Sequence, residues 1–434
     1  MKPLKNRARL VPALLTLPLA TAALSACGTD SPEAGSDPAR GDAATVRTEA
    51  SEVSHLAPRA LVADTAGRLT LIDTESGTEV GAGQASGFVR LSDAGDGRHV
   101  VVADGDRFRF FDTGVHAEQH GDHDHLYAAP GKLLEVERAA KKAGHAVQHG
   151  EWTALFSDGT GRIDLVRTAE LTSPDAAVET VETSGEHHGV AVRLADGSIA
   201  TTWSNGEERN GLRLLKDGTT VAATDDCAGV HGEAVAAPDA AGEVLVFGCT
   251  DGPVVLRGGE FHKVDVPHDY LRTGNLAGHP EHPVVLTDHK SDPDADLERP
   301  TKVGLLDTRT DTLREVELGS SYWFRSLGRD ADGDAVVLTY DGTLRVLDPE
   351  TGEQTSRVPA IGEWSENEDW QQPGPVLEVV DGIAYVADAN AAELVVVDLA
   401  AGKVTARHPL PEDGVELVVT PGSPEHHPHG DHDH

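Results

Sequence analysis

The chain has 434 residues, and 73 acidic against 36 basic side chains give a formal charge of −37. That balance disfavours nucleic acid, whose phosphates are bound by Lys and Arg, and it suits a well-solvated protein that draws cations toward itself. The length allows one large β domain or two ordinary ones.

The first residues read as an export signal. Lys2, Lys5, Arg7 and Arg9 precede an apolar run that ends near Leu24, and Leu24-Ser25-Ala26-Cys27 resembles a bacterial lipobox. Cleavage before Cys27 would leave a thiol to be acylated, so residues 1–26 are predicted to be a lipoprotein signal peptide. The apolar run is too short for a transmembrane helix. Residues 27–55, rich in Gly, Ser, Ala, Asp and Pro, are predicted to form a flexible tether on a lipid-anchored, extracytoplasmic protein.

From there to about residue 421 the chain lacks helical periodicity and repeats an apolar run, a turn and a second apolar run that often ends in Asp. The pattern runs from Leu61 to Asp73, Val101 to Asp112, Leu155 to Val166, Trp203 to Leu215, Leu245 to Arg257, Val284 to Asp307, Val336 to Asp348 and Ala384 to Asp398. Asp158-Gly159, Asn205-Gly206, Asp251-Gly252 and Asp341-Gly342 supply turns with positive φ. All-strand repeats of about 40 to 50 residues predict an all-β chain folded as a single β-propeller over residues 56–421, with eight blades, or seven as the fallback. Val415 to Thr420 is a lone strand that would complete the first blade and close the ring; two stacked β domains are the alternative.

The chemical signature is histidine. His120-Gly121-Asp122-His123-Asp124-His125 follows His116 and returns as His429 to His434, preceded by His426 and His427 in a tail, residues 422–434, predicted to be disordered. Imidazole ligates zinc and carboxylates orient the ligands. In an extended backbone His123 and His125 share one side and Asp122 and Asp124 the other. The two HGDHDH strings, including His429, His432 and His434, are therefore predicted to capture metal.

Three further histidines are evenly placed. Forty-three residues separate His145 from His188, and again His188 from His231, and each is expected to precede an innermost strand. Equivalent positions in successive blades converge on the channel mouth, so the three imidazoles can supply most of a tetrahedral zinc site. His187 and His149 are neighbours able to replace a member, and the connection carrying HGDHDH is expected to lean over the site as a mobile loop. Cys227 and Cys249 are predicted to form a disulfide that braces the backbone of His231. Protonated imidazole cannot ligate, so metal release below about pH 6 is expected.

Other clusters are weaker. Asp292, Asp294, Asp296 and Glu298 alternate as in a calcium loop, but Leu297 stands where an EF-hand needs Gly. There is no phosphate-binding Gly-rich loop and no nucleophile elbow, and the chain is read as a non-enzyme. A propeller lactonase or quinoprotein-like dehydrogenase, and a scaffold that only buffers metal weakly, are the competing functions.

The segment from His116 to His125, the His145, His188 and His231 series and the Cys227/Cys249 pair together resemble zinc metallochaperones of the AztD type. The resemblance spans most of the mature chain. It implies a propeller that binds Zn2+ and hands it directly to the solute-binding protein of a zinc ABC transporter. Such a chain would act as a monomer without nucleic acid.

Overall fold

In a computed structural model the described residues are 50–120, 123–206, 209–410 and 413–422. The signal, Cys27, Asp122 and the tail histidines His426, His427, His429, His432 and His434 lie outside them. Every described residue falls within one compact unit, residues 47–434. Among them no helix is long and apolar enough to cross a membrane.

The eight predicted repeats are each the two middle strands of a four-stranded antiparallel unit. Val- and Leu-rich runs such as Glu393–Asp398 are buried along their length, because another strand pairs on each side and neighbouring sheets cover both faces. Outer strands such as Lys403–Pro409 alternate exposed and half-buried residues, so one face meets water. Each fully buried Val, Leu or Phe stabilises the fold by roughly 1.5–3 kcal/mol.

Six four-stranded sheets follow one another in chain order among the described residues, from Ala143–His149 to Lys403–Pro409. The earlier strands form one eight-stranded sheet whose halves join where Glu79–Gln84 runs parallel to Gly131–Ala139. The lone C-terminal strand, Gly414–Thr420, pairs antiparallel with Arg59–Asp64, setting Leu61 opposite Val418. It also packs against Val376–Val380 on one side and Arg90–Asp93 on the other.

A buried carboxylate fixes that last strand. Glu416 accepts hydrogen bonds from the Leu91 amide and Arg90 Nε, and pairs with the buried Arg325 guanidinium. Losing one member of such a pair costs about 3–5 kcal/mol, because the survivor is left buried and uncompensated.

Two sequence expectations change. The connection carrying HGDHDH is a hairpin, not a mobile loop: Val115–His120 pairs with His123–Ala128, and Ser51–Val53 adds a third strand. Alternating side chains and register-matched backbone hydrogen bonds hold it extended. At Asp158-Gly159 the positive φ belongs to Gly161 (φ 72°), because that turn is two residues longer than the dipeptide suggests; Gly206, Gly252 and Gly342 carry it as predicted.

Candidate metal centre

His145, His188 and His231 converge. Each offers one nitrogen, and the three nitrogens lie within 4.8 Å of one another. His145 lies inside the strand Ala143–His149 rather than ahead of it, where the register shifts between Ala143 and Ala146. His188 and His231 precede Ala191–Arg193 and Glu233–Asp239, the first strands of the next two sheets. Chain repetition thus delivers one imidazole from each of three consecutive sheets.

The ring orientations are set from behind. His188 Nδ1 donates to Asp158 Oδ2 at 2.6 Å. His231 Nδ1 donates to the Gly274 carbonyl at 2.9 Å. An N–H committed at Nδ1 leaves Nε2 as a lone pair, so both rings are held in the ligating tautomer. His145 Nε2 stands 3.1 Å from His188 Nε2. Two nitrogens bound tetrahedrally to one zinc at about 2.05 Å would stand about 3.3 Å apart.

Glycine makes the support possible. A Cβ on Gly144 would meet Asp158 Oδ1 at 2.1 Å, so only glycine lets that carboxylate reach past the residue before His145. Gly232, after His231, has φ 75°, and a Cβ there would lie 2.6 Å from the Gly274 carbonyl oxygen. The Cys227–Cys249 disulfide closes a 22-residue separation around this segment. Between the cysteines the His231 amide donates to Gly248 O at 2.9 Å. A cross-link over such a loop contributes about 3 kcal/mol.

Burial lowers the pKa of His145 well below the ordinary imidazole value, with His188, His231, Arg90 and Arg209 adding to the effect. Burial likewise lowers His231 to about 4, against the raising effect of its bond to Gly274. Burial thus favours the neutral, ligating form of both rings. The unfolded chain takes up these protons first, so each depressed pKa costs stability progressively as pH falls from about 6.5.

The hairpin makes a second cluster. His120, His123 and His125 also bring three nitrogens within 4.8 Å, and His120 and His123 are exposed. His123 Nε2 lies 3.2 Å from His125 Nε2, as the one-sided placement of the pair requires. The supporting carboxylate is Glu52, whose Oε1 accepts from His125 Nδ1 at 2.6 Å; Asp124 instead stands opposite Gln119 in the ladder.

The remaining predicted ligands have other partners. His116 stacks on Tyr127 with its Nε2 3.5 Å from Glu118. His149 Nε2 pairs with Glu243 at 2.6 Å. His187 is buried, with its Nδ1 and Nε2 bonded to Gly185 O and Thr202 Oγ1. Sequence reading missed Asp158, Glu52 and Gly274. The one local signal was Asp158 in a turn, and a turn aspartate is too common to single out.

No family model matches the chain. Over 383 residues, 84% of this chain and 88% of the relative, it is 24% identical to the zinc chaperone AztD of Citrobacter koseri. The chain is homologous to AztD. A crystal structure of Citrobacter koseri AztD superposes with a TM-score of 0.71 at 23% identity, covering 84% of this chain and 97% of that one. The apo form of that protein gives 0.69 at 22% identity over the same shares. The dihydro-heme d1 dehydrogenase NirN shares the fold alone, with a TM-score of 0.51 at 13% identity over 87% of this chain and 80% of its own.

Proposed function

We propose that this chain is an extracytoplasmic zinc metallochaperone without catalytic activity, which captures Zn2+ and passes it to the solute-binding protein of a zinc ABC transporter. One observation carries the reading: three half-buried imidazoles from three sheets meet within 4.8 Å, two of them held in the ligating tautomer. Homology to a zinc chaperone supports the choice of metal and of role. A disulfide between Cys227 and Cys249 supports an oxidising compartment.

In this reading the exposed hairpin of His120, His123 and His125 meets zinc first. His145, His188 and His231 then hold it, and the acceptor's ligands replace them one at a time. Zinc suits such exchange because its filled d shell imposes no geometry. The tail from His426 to His434 adds accessory ligands, with His116, His149, His187 and the carboxylates of Asp122 and Asp124 as reserves. Residues 1–26 are removed on export, Cys27 carries the lipid, and residues 27–55 tether the protein. Residues 56–421 form a propeller of eight blades, a count supported by six separate sheets and two joined ones. Closure is supported by the pairing of Gly414–Thr420 with Arg59–Asp64.

The test is transfer. The untagged chain, loaded with one zinc, is mixed with a zinc solute-binding protein in the presence of a chelator that removes free ion. Zinc should reach the acceptor despite the chelator. Capture of all of it by the chelator would refute direct hand-over.

A further inference from the structure

The hairpin cluster supplies three imidazole nitrogens within 4.8 Å of one another, and a tetrahedral zinc ion takes one ligand more. His120 and His123 are exposed, so a further segment of chain has access to the cluster. The flanking carboxylate of Glu52 is engaged at Nδ1 of His125, away from the Nε2 that faces His123.

The chain leaves its last strand at the foot of this hairpin. Thr420 pairs with Arg59, whose guanidinium donates to the carbonyls of Thr113 and Ala129 on either side of the hairpin. Thr420 Oγ1 also donates to Thr113 Oγ1 at 3.2 Å. Two residues on, the Gly422 amide donates to Gly97 O at 2.9 Å, and a Cβ there would lie 3.2 Å from Val115 Cγ2. Val115 opens the first hairpin strand, Val115–His120, which is about 17 Å long. The seven residues from Gly422 to His429 reach at most about 25 Å, and His432 and His434 reach farther. The second HGDHDH string is therefore within reach of the first.

The triad stands at the other end of the strands. The Ala143 amide, two residues before His145, donates to Gly105 O at 2.8 Å. Gly105 precedes the strand Arg107–Asp112 and the hairpin follows it, so about 20 Å of extended chain separates the two ends. The connection carrying HGDHDH thus does not lean over the triad as its place in the sequence suggests, and the tail departs from the hairpin's end. Tail and hairpin both bear carboxylates, Glu425, Asp431 and Asp433 on one, Glu118 and Asp124 on the other, with Glu52 beside them. Arg98, which acts on Glu118, is already paired with Asp112. Without a dication the two segments repel; with one they close.

We propose that residues 429–434 complete the hairpin site: one imidazole of His429, His432 or His434 supplies the fourth ligand to zinc held by His120, His123 and His125, while the triad takes no ligand from the tail. This rests on the zinc reading given above.

The test uses the full chain carrying His145→Ala/His188→Ala/His231→Ala, which leaves the hairpin as the tight cluster. Zinc affinity is read by competition with a chromophoric chelator, with and without His429→Ala/His432→Ala/His434→Ala. Loss of the tail imidazoles should weaken binding at least about tenfold, the gain expected of a ligand tethered at millimolar effective concentration. The chain with an intact triad covers a triad variant that fails to fold: there the tail substitutions should weaken the second zinc equivalent by the same factor and leave the first within about twofold. A larger loss at the first would place the tail on the triad and overturn the proposal. A tail effect that grows with protein concentration means that a second copy supplies the ligand, and overturns closure within one chain. Equal affinity with and without the tail imidazoles overturns it outright and leaves the zinc reading standing. Absence of tight zinc binding in the parent removes that reading and the proposal together.

Discussion

The two histidine clusters use the same chemistry in opposite settings. Each groups three imidazole nitrogens within 4.8 Å, and each has a carboxylate behind one ring, Asp158 behind His188 and Glu52 behind His125. They differ in what surrounds them. The triad is half-buried and takes one ring from each of three sheets, whereas the hairpin presents all its rings from two adjacent strands, largely in water. Burial excludes competing water and fixes geometry, so the triad suits holding. Exposure gives access at the cost of preorganisation, so the hairpin suits capture. In the proposed function the same ligand set takes two roles, and packing is what distinguishes them.

The largest expected effect comes from deleting one cluster at a time. His145→Ala/His188→Ala/His231→Ala should weaken the tightest zinc site at least about a thousandfold, read by competition with a chromophoric chelator. His120→Ala/His123→Ala/His125→Ala should leave that affinity within about twofold, since the clusters share no ligand, and should slow loading instead. Equal losses in both variants would erase the distinction drawn here.

Removing the carboxylates sharpens it. Asp158→Asn should weaken the triad about 10- to 100-fold, because an amide holds the His188 tautomer less firmly. Glu52→Gln should weaken only the hairpin, and by less, because an exposed pair contributes little. Zinc titration with each variant in turn should separate the two effects, and an unchanged triad in Asp158→Asn would remove the support assigned to that residue.

The smallest effect reads the burial itself. Glu378 lines the smaller cavity with His145 and His231, and burial, helped by Asp93 and Glu416, raises its pKa to about 8. The folded chain then keeps a proton that the unfolded chain releases above about 4.5, so this residue costs stability as pH rises from about 4.5 to about 8. Glu378→Gln should gain stability over the parent progressively across that window, most at its upper end, in denaturant unfolding of the metal-free protein. A difference independent of pH would contradict a buried, protonated carboxyl beside the triad.

Much of this was legible in one dimension, for reasons particular residues make plain. Runs such as Ala384 to Asp398 alternate apolar strand, turn and apolar strand, and only a sheet with both faces covered buries such runs. Even spacing of His145, His188 and His231 marks equivalent positions in a repeat, and repetition in the chain becomes convergence in space. The doublet at His123 and His125 needs only the two-residue period of a strand. The pairing of Cys227 with Cys249 followed from parity.

What the chain alone determined, then, was the ligand type, the repeat and the strands, because these depend on local pattern and period. Only the tertiary structure decided which groups stand behind the ligands. Asp158 reaches His188 from 30 residues away, Glu52 reaches His125 from 73, and Gly274 reaches His231 from 43. Only packing could show His116, His149 and His187 engaged elsewhere, or set Glu378 in the same cavity as His145 and His231. Contacts between sheets depend on how repeats stack, and no local period in the sequence encodes that stacking.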